Sequence, residues 1–216
     1  IPDSSWAALE DALAEGRGVI LATGHYGNWE MAAAAVAARG VAIEAVVKRQ
    51  RNPLVDQRIQ EARRALGVEI IWTGEAPRRV PRALKAGKAV GIVADQDARG
   101  TGVWVPFFGI PASSYTGPAL FALRTGAPLF AAVARRLPDG RYYVRGDRLD
   151  VSRTASFGED VVRITAALAS HLEREIRLDP SQYFWFHKRW KTPPPEELHP
   201  DLPGTMTHDG RSVASR

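Results

Sequence analysis

The sequence predicts an α/β fold in which a mostly parallel central sheet is flanked by helices. Short apolar runs alternate along the chain with longer segments whose apolar residues recur at helical spacing. Gly, Pro and Asn stand at most boundaries between the two kinds of segment. This alternation of strands and helices is typical of a largely parallel sheet.

The first half of the chain divides into four helix–strand units. Trp6, Leu9 and Leu13 share one face of the first helix, Asn28 is suited to cap the second, and Pro53 lies in the tolerated first turn of the third. The strands are apolar enough to be buried. The predicted helices cover residues 4–15, 29–39, 52–66 and 77–86, and the predicted strands cover 19–23, 41–47, 68–72 and 89–94.

The second half is less regular. Residues 95–113 contain several Gly and Pro and are predicted to form a long loop, and a loop of that length in a compact domain is usually functional. A helix capped by Thr116, a strand pair (128–136 and 142–149) joined at Pro-Asp-Gly, and a helix over 158–177 follow. The aromatic run 184–186 is predicted to be a last strand or a buried segment. We expect residues 1–191 to form a single domain and residues 192–216 to be a disordered tail.

The composition is basic and lacks cysteine. The net charge is +5, and only five of the 29 basic residues are Lys. Such a chain could bind nucleic acid, an anionic membrane surface or a phosphorylated substrate, although a GC-rich genome also favours Arg codons. The absence of Cys excludes disulfides, thiolate zinc sites and a Cys nucleophile. The longest apolar run, Met31 to Ala38, is far too short to span a bilayer.

The heptapeptide Gly24-His25-Tyr26-Gly27-Asn28-Trp29-Glu30 carries the main candidate site. His25 falls in the turn after a predicted strand, and Glu30 falls in the first turn of the following helix. From there Glu30 is predicted to reach back to the imidazole, fix its tautomer and stabilise the imidazolium, so that His25 acts as a general base. A His packed in a turn beside a capping Glu is the alternative interpretation of this pattern.

Two further groups of polar residues are candidates for substrate binding. Asp95, Gln96 and Asp97 follow a predicted strand, where α/β proteins place their sites, and are expected to position substrate or support His25. Capping of the loop by Asx side chains is the alternative, and two carboxylates are weak grounds for a metal site. Arg49 is expected to bind a phosphate group, although a single surface Arg is often only solvated.

The heptapeptide resembles the signature of the lipid A biosynthesis lauroyl/myristoyl acyltransferases, a group in the lysophospholipid acyltransferase superfamily. Further stretches are similar to the same family, and together they cover about residues 16–192. They are Lys48-Arg49 with Asn52-Pro53-Leu54, Ala94-Asp95-Gln96-Asp97, Gly102-Val103-Trp104-Val105-Pro106-Phe107-Phe108-Gly109 with Pro111-Ala112, and Trp185-Phe186-His187-Lys188-Arg189-Trp190-Lys191-Thr192.

The resemblance implies a lysophospholipid/glycerol-phosphate acyltransferase-like fold and direct acyl transfer. His25, paired with Glu30, would take a proton from a hydroxyl of a lipid A precursor, which attacks the thioester of an acyl carrier, expected to be acyl carrier protein. No Gly-x-Ser-x-Gly elbow is present, and no cofactor or metal is expected. The residues expected to bind substrate are Arg49, Asp95, Gln96, Asp97, Phe108 and Gly109.

The resemblance also implies a location and leaves alternatives open. We expect peripheral attachment to the cytoplasmic face of the bacterial inner membrane, with the family's N-terminal anchor missing from this chain, which starts at Ile1. Similar enzymes acylate phosphatidylinositol mannosides but typically carry Asp where this chain has Glu30, which favours lipid A. A basic nucleic-acid-binding domain is the alternative of another class; it rests on charge alone, since no zinc-finger or RNP-type motif is present, and no nucleic-acid partner is expected.

Overall fold

The computed structural model describes residues 1–154 and 156–195. The predicted tail therefore falls mostly on residues 196–216, which lie outside the described residues. The helices are α1 (Asp3–Ala14), α2 (Trp29–Ala37), α3 (Pro53–Ala65), α4 (Ala76–Lys85), α5 (Gly117–Thr125) and α6 (Phe157–Leu178). The strands are β1 (Val19–Thr23), β2 (Ile43–Val47), β3 (Val68–Trp72), β4 (Ala89–Val93), β5 (Val103–Phe107), β6 (Ile110–Ser114), β7 (Leu129–Arg136) and β8 (Tyr142–Arg148).

The central sheet has the strand order β3-β2-β4-β1-β7-β8. Its first five strands are parallel, and β8 pairs antiparallel with β7 at one edge. Strands β5 and β6 form a separate antiparallel hairpin. The predicted α/β class with a mostly parallel sheet is confirmed, and the parallel strands bring their carboxyl ends to one edge.

Alternate residues of the strands supply the cores on the two faces of the sheet, since successive side chains of a strand point to opposite sides. Ile20 and Ala22 of β1 pack with residues of α4, α5 and α6 on one face. Val19 and Leu21 pack with residues of α1 and α2 on the other. Helices therefore cover both faces, which explains why the central strands are apolar throughout rather than alternating.

Two expectations about irregular segments are wrong. The predicted loop 95–113 contains the β5–β6 hairpin, whose turn is formed by Phe108 and Gly109, both with positive φ (52° and 77°). Such a two-residue turn matches the twist of the strands that it joins. The aromatic run 184–186 is neither a strand nor buried, since Phe184, Trp185 and Phe186 are exposed. None of the helices in the described ranges is long and apolar enough to cross a membrane.

Candidate active site

The candidate site lies where two neighbouring strands end. Strands β1 and β4 pair in register, with Thr23 opposite Val93. His25 and Asp95 each follow two residues after that last pair, so the sheet brings them to the same edge although 70 residues separate them in the chain. The carboxyl edge of a parallel sheet is where α/β proteins bind ligands.

His25 and Asp95 make a two-point contact. The backbone N–H of His25 donates to Asp95 Oδ2 at 2.8 Å, and His25 Nδ1 lies 2.6 Å from Asp95 Oδ1. An ionised carboxylate only accepts hydrogen bonds, so this contact places the ring proton on Nδ1 and leaves Nε2 as the acceptor. The His25 side chain is 22% exposed and that of Asp95 is 5% exposed. Asp95 therefore orients the imidazole, and part of the ring remains accessible to solvent.

The carboxylate beside His25 is thus Asp95, and the expectation that Glu30 fills this position is wrong. Glu30 instead accepts two hydrogen bonds from Arg63 of α3, from Nε at 2.9 Å and from Nη2 at 2.6 Å. The first turn of α2 directs the Glu30 side chain toward the neighbouring helix rather than back over the turn that precedes it. This forked ion pair links α2 to α3, the helix that has no buried residue of its own.

The turn that carries His25 is held by a glycine. Gly27 has φ of +59°, and its N–H donates to Gln182 O at 2.9 Å. The next residue, Asn28, donates its backbone N–H to Ala134 O at 2.8 Å and caps α2 by accepting from Met31 N. A Cβ on Gly27 would lie 1.9 Å from Ala134 O. No residue other than glycine fits here, because both the conformation and the space exclude a side chain.

We expect Gly27→Ala to destabilise the protein by about 3 kcal/mol or more, since strain at positive φ adds to a clash with backbone. The matched control is Gly40→Ala, because Gly40 also has positive φ (84°) but has nothing within 4 Å of the added Cβ. That control should cost only about 1 kcal/mol. Urea denaturation midpoints compare the two, and equal losses would show that the clash at Ala134 is relieved without cost.

Asp97 binds the C-terminal segment through His187 and Thr192. The structure therefore gives it a structural contact in place of the substrate-binding role expected from the sequence. It is buried, its N–H donates to His187 Nε2 at 2.8 Å, and its Oδ2 accepts from the Thr192 hydroxyl at 2.8 Å. Burial lowers the pKa of His187, in keeping with the neutral ring that this acceptor role requires. Thr192, placed in the tail by the sequence, is therefore attached to the domain.

Sequence reasoning missed two buried residues of the C-terminal segment. Arg189 is only 3% exposed, donates to Ser113 O at 2.6 Å and also donates to the Ser114 hydroxyl. Tyr183 is buried beside Asp95, and its burial together with that carboxylate raises the pKa of its hydroxyl. The tyrosine consequently stays neutral next to the candidate site. Arg residues are seldom buried, so the sequence around Arg189 gave no sign of its role in the interior.

The other predicted binding residues are spread around this edge. Gln96 is half-buried between the two aspartates. Arg49 is exposed after β2, and its guanidinium carbon lies 3.9 Å from the centroid of the Trp72 ring. Phe108 is half-buried at the hairpin turn, where its N–H donates to Glu173 Oε2 at 2.7 Å, and Gly109 is exposed beside it. The roles of these residues in binding stay predictions.

Aromatic rings flank the imidazole. The ring of Trp29 meets that of His25 edge to face, with centroids 4.6 Å apart. The centroid of the Phe184 ring lies 6.2 Å from that of His25. Phe184 N also donates to His25 O at 3.0 Å. These contacts pack against the imidazole ring, whose Nδ1 is engaged by Asp95. The arrangement is therefore suited to accept a proton from an incoming group.

Comparison with known proteins identifies the group to which this arrangement belongs. Residues 6–192 match the family model of bacterial lipid A biosynthesis acyltransferases. The chain belongs to this family. The family resemblance of the sequence motifs is thereby confirmed.

Relatives in this acyltransferase family carry two kinds of name. A phosphatidylinositol mannoside acyltransferase of Mycobacterium tuberculosis is 32% identical over 186 residues, which cover 84% of this chain and 57% of the relative. Its counterpart in Mycolicibacterium smegmatis is 31% identical over 192 residues (87% and 60%). A lipid A biosynthesis lauroyltransferase of Escherichia coli is 30% identical over 189 residues (86% and 60%). The chain thus spans less than two thirds of the length of these relatives.

In this member of the lipid A acyltransferase family, an apolar cavity adjoins the candidate site. It has a volume of about 40 Å³ and lies between the sheet edge and α6; its lining includes Gly24, Asp95, Phe107, Leu168 and Leu172. A second cavity of about 60 Å³ lies among residues of α1, α2 and the strands, with Trp29 and Phe130 in its lining. Both volumes are small compared with that of a fatty acyl chain. An extended hydrocarbon chain would need either cavity to widen.

His171 of α6 lines the first cavity and is a buried neutral histidine. Arg174 Nη2 donates to its Nδ1 at 2.9 Å, and Asp147 Oδ2 lies 3.4 Å away. Burial first, and then the charge of Arg174, lower the pKa of His171 to about 4. Protonating this ring within the folded chain is therefore unfavourable.

We expect the free energy of unfolding to fall between pH 6.5 and pH 4, with His171 contributing up to about 3 kcal/mol of the loss. The sign follows because the unfolded ring binds a proton below its usual pKa while the folded ring does not. The variant His171→Leu removes this titration and should flatten the pH dependence of stability in that window. Urea unfolding of both proteins at several pH values is the measurement, and an unchanged slope in the variant would contradict the assignment.

The described ranges contain no group of three or more His, Asp or Glu that could hold a metal ion. His25, Asp95 and Asp97 do not converge, because Asp97 is engaged by His187 and Thr192. The pair of His25 and Asp95 is thus the chemically distinctive feature of this edge.

Proposed function

We propose that this chain transfers a fatty acyl group from a carrier thioester to a hydroxyl of a bacterial glycolipid. The observation that carries the proposal is the contact of 2.6 Å between His25 Nδ1 and Asp95 Oδ1, at the sheet edge of a lipid A acyltransferase family member. The names of the relatives support the chemistry, since they describe acyl transfer onto lipid A and onto phosphatidylinositol mannosides.

The reaction follows from the orientation of the imidazole. His25 Nε2 takes the proton of the acceptor hydroxyl as its oxygen attacks the thioester carbonyl. The tetrahedral intermediate then collapses, the ester forms, the carbon–sulfur bond breaks, and the imidazolium returns the proton to the departing thiolate. Asp95 stabilises the imidazolium between these steps, because it accepts from Nδ1. Helix α2 begins three residues after Tyr26, and its amino end favours the negative charge that develops on the carbonyl oxygen.

Direct transfer suits the residues present. The chain has no Cys, and it lacks the Gly-x-Ser-x-Gly elbow of a serine acyl-enzyme. Both substrates must therefore be bound together, and their placement supplies much of the rate. The apolar cavity beside Asp95 is the proposed entry for the acyl chain, and Phe107 and Leu172 supply apolar walls for it.

The acceptor belongs to one of two glycolipid classes, a lipid A precursor or a phosphatidylinositol mannoside. The identity of Glu30 was the sequence argument for lipid A. That argument loses its force because Glu30 binds Arg63 and does not contact His25. The family model favours lipid A, whereas the relatives at 31–32% identity carry the name of the mannoside enzymes. Family membership favours either acceptor over the nucleic-acid hypothesis.

The donor is proposed to be acyl carrier protein, and the site of action to be the cytoplasmic face of the inner membrane. Exposed basic residues follow β2 at the same edge as His25, and they suit an acidic carrier protein or a phosphate. They include Lys48, Arg49 and Arg51. Coenzyme A thioesters are the competing donors.

The test pairs two donors with two acceptors. Purified chain is incubated with acyl carrier protein or coenzyme A thioesters of one acyl group, together with a lipid A precursor or a phosphatidylinositol mannoside. Mass spectrometry of the lipid should show the gain of one acyl chain for one acceptor, with the carrier-protein donor preferred. A folded chain that acylates neither acceptor, or only releases free fatty acid, would contradict the proposal.

A further inference from the structure

Three consecutive aromatic residues form an exposed ridge next to His25. In this aromatic ridge, Phe186 is 91% exposed, Trp185 is 47% exposed and Phe184 is 45% exposed. The rings of Phe184 and Phe186 lie 5.8 Å apart, and the ring of Trp185 lies 6.0 Å from that of Phe108. An apolar ring as open to water as Phe186 keeps an unfavourable hydration free energy.

The ridge is held in place by its backbone and not by burial of its rings. Phe184 N donates to His25 O, and the indole N–H of Trp185 donates to Pro180 O at 2.7 Å. Tyr183, directly before the ridge, is buried and bridges to Tyr26. The exposed rings are therefore carried by an ordered backbone segment. That segment is hydrogen-bonded to His25, the proposed general base.

Positively charged residues follow the ridge in the chain. Lys188 and Lys191 are exposed, whereas the intervening Arg189 is buried. The guanidinium of Arg177 also stacks on Phe108, 4.8 Å from the ring centroid, but it forms an ion pair with Glu173 at 2.6 Å. The charge available to a lipid surface therefore comes from Lys188 and Lys191. Aromatic rings next to exposed lysines match the boundary between hydrocarbon and head groups, where rings enter the apolar layer and cations meet anionic lipid.

We propose that the aromatic ridge inserts into the surface of an anionic lipid bilayer and thereby places His25 at the level of lipid head groups. This inference rests on the proposed function, because a glycolipid acceptor resides in such a bilayer and membrane binding would bring His25 to it. The occupant is a lipid surface and not a folded protein, because Phe186 stands out from the surface instead of lining a groove. A sugar stacked on Trp185 is the rival occupant.

The test measures cosedimentation of the full chain with vesicles of phosphatidylcholine alone or mixed with phosphatidylglycerol. We expect stronger retention on the mixed vesicles, and Phe186→Ser should lower the partition coefficient roughly tenfold. The matched control is Phe157→Ser. Phe157 is 45% exposed, as Phe184 of the ridge is, but it begins α6, whose 22 residues place it about 30 Å from the end that leads to the ridge. This control should bind as the wild type does.

Two further variants complete the test. The double substitution Lys188→Glu and Lys191→Glu should weaken binding to mixed vesicles more than to phosphatidylcholine vesicles. His25→Ala should keep wild-type retention, so loss of acyl transfer and loss of membrane binding are separable, and retention is measurable even if no acceptor is acylated.

Several outcomes would overturn the proposal. One is that the Phe186→Ser and Phe157→Ser variants bind vesicles equally well, and another is that the wild type binds neither kind of vesicle. A third is that Phe186→Ser binds vesicles as the wild type does but has a raised KM for a soluble glycolipid headgroup. The last result would assign the ridge to the sugar of the acceptor.

Discussion

Replacing His25 with alanine is expected to lower kcat/KM for acyl transfer by about 10³-fold, the usual contribution of a positioned general base. The ring is 22% exposed and makes its polar contact to Asp95, so its removal deletes the proton acceptor together with the ring contacts to Trp29 and Phe184. Transfer is measured by the mass gain of the acceptor lipid at saturating donor.

The fold of His25→Ala needs its own measurement, because Asp95 is left buried with one partner fewer. The backbone N–H of residue 25 still donates to Oδ2 in the variant, so circular dichroism and the urea midpoint should stay near those of the wild type. Turnover within a few-fold of wild type in a folded variant would remove His25 from the mechanism.

The second large effect is expected for Asp95→Asn, which should reduce kcat about 10³-fold while leaving KM nearly unchanged. An amide has nearly the shape of the carboxylate, but its NH₂ group donates to Nδ1 and moves the ring proton to Nε2. The base then carries a proton where it must accept one. A pH profile of kcat gives a readout that a merely structural change would not alter.

Glu30→Gln is the matched comparison for Asp95→Asn. It also removes one carboxylate charge, but from a residue that binds Arg63 and not His25. We expect a rate change of less than about fivefold and a stability loss of about 1 kcal/mol, since the pair is partly exposed. Were Glu30→Gln to lose more activity than Asp95→Asn, the partner assigned to His25 would be wrong.

Much of the fold was predictable because the sheet is buried on both faces. Strands β1 and β3 begin and end at the predicted residues, and each begins directly after a glycine, Gly18 or Gly67. The β5–β6 hairpin was not predictable from periodicity. Pro106 and Pro111 face each other in its register, and prolines in such a run indicate a loop.

The site was predictable in part. His25 and Asp95 could both be placed after strands, and support of His25 was one of the two roles considered for Asp95. The partner could not be chosen, because adjacency of β1 and β4 is a property of the strand order and not of local sequence. Glu30 is nearer in the chain, but the direction of the first helical turn decides its contact. Nothing in the sequence around Arg63 indicates that it forms an ion pair with Glu30.

The exposed aromatic ridge shows a different limit. A run of Phe-Trp-Phe predicts burial, since most aromatic side chains gain free energy by leaving water. Here Tyr183 occupies the interior position, and the chain turns directly after it. The hydrophobicity of a sequence does not distinguish an aromatic ring that packs in the protein interior from one that is exposed and available to bind an apolar partner.

The contact between His25 and Asp95 depends on the pairing of β1 with β4 and on the long stretch of chain between these strands. Helices α2, α3 and α4 and strands β2 and β3 lie between His25 and Asp95 in the chain, and β4 lies between β1 and β2 in the sheet. Closing such a large loop is among the slow, entropically costly events of folding. We therefore expect the contact between His25 and Asp95 to form only when β4 has paired with both of its neighbours, late in folding.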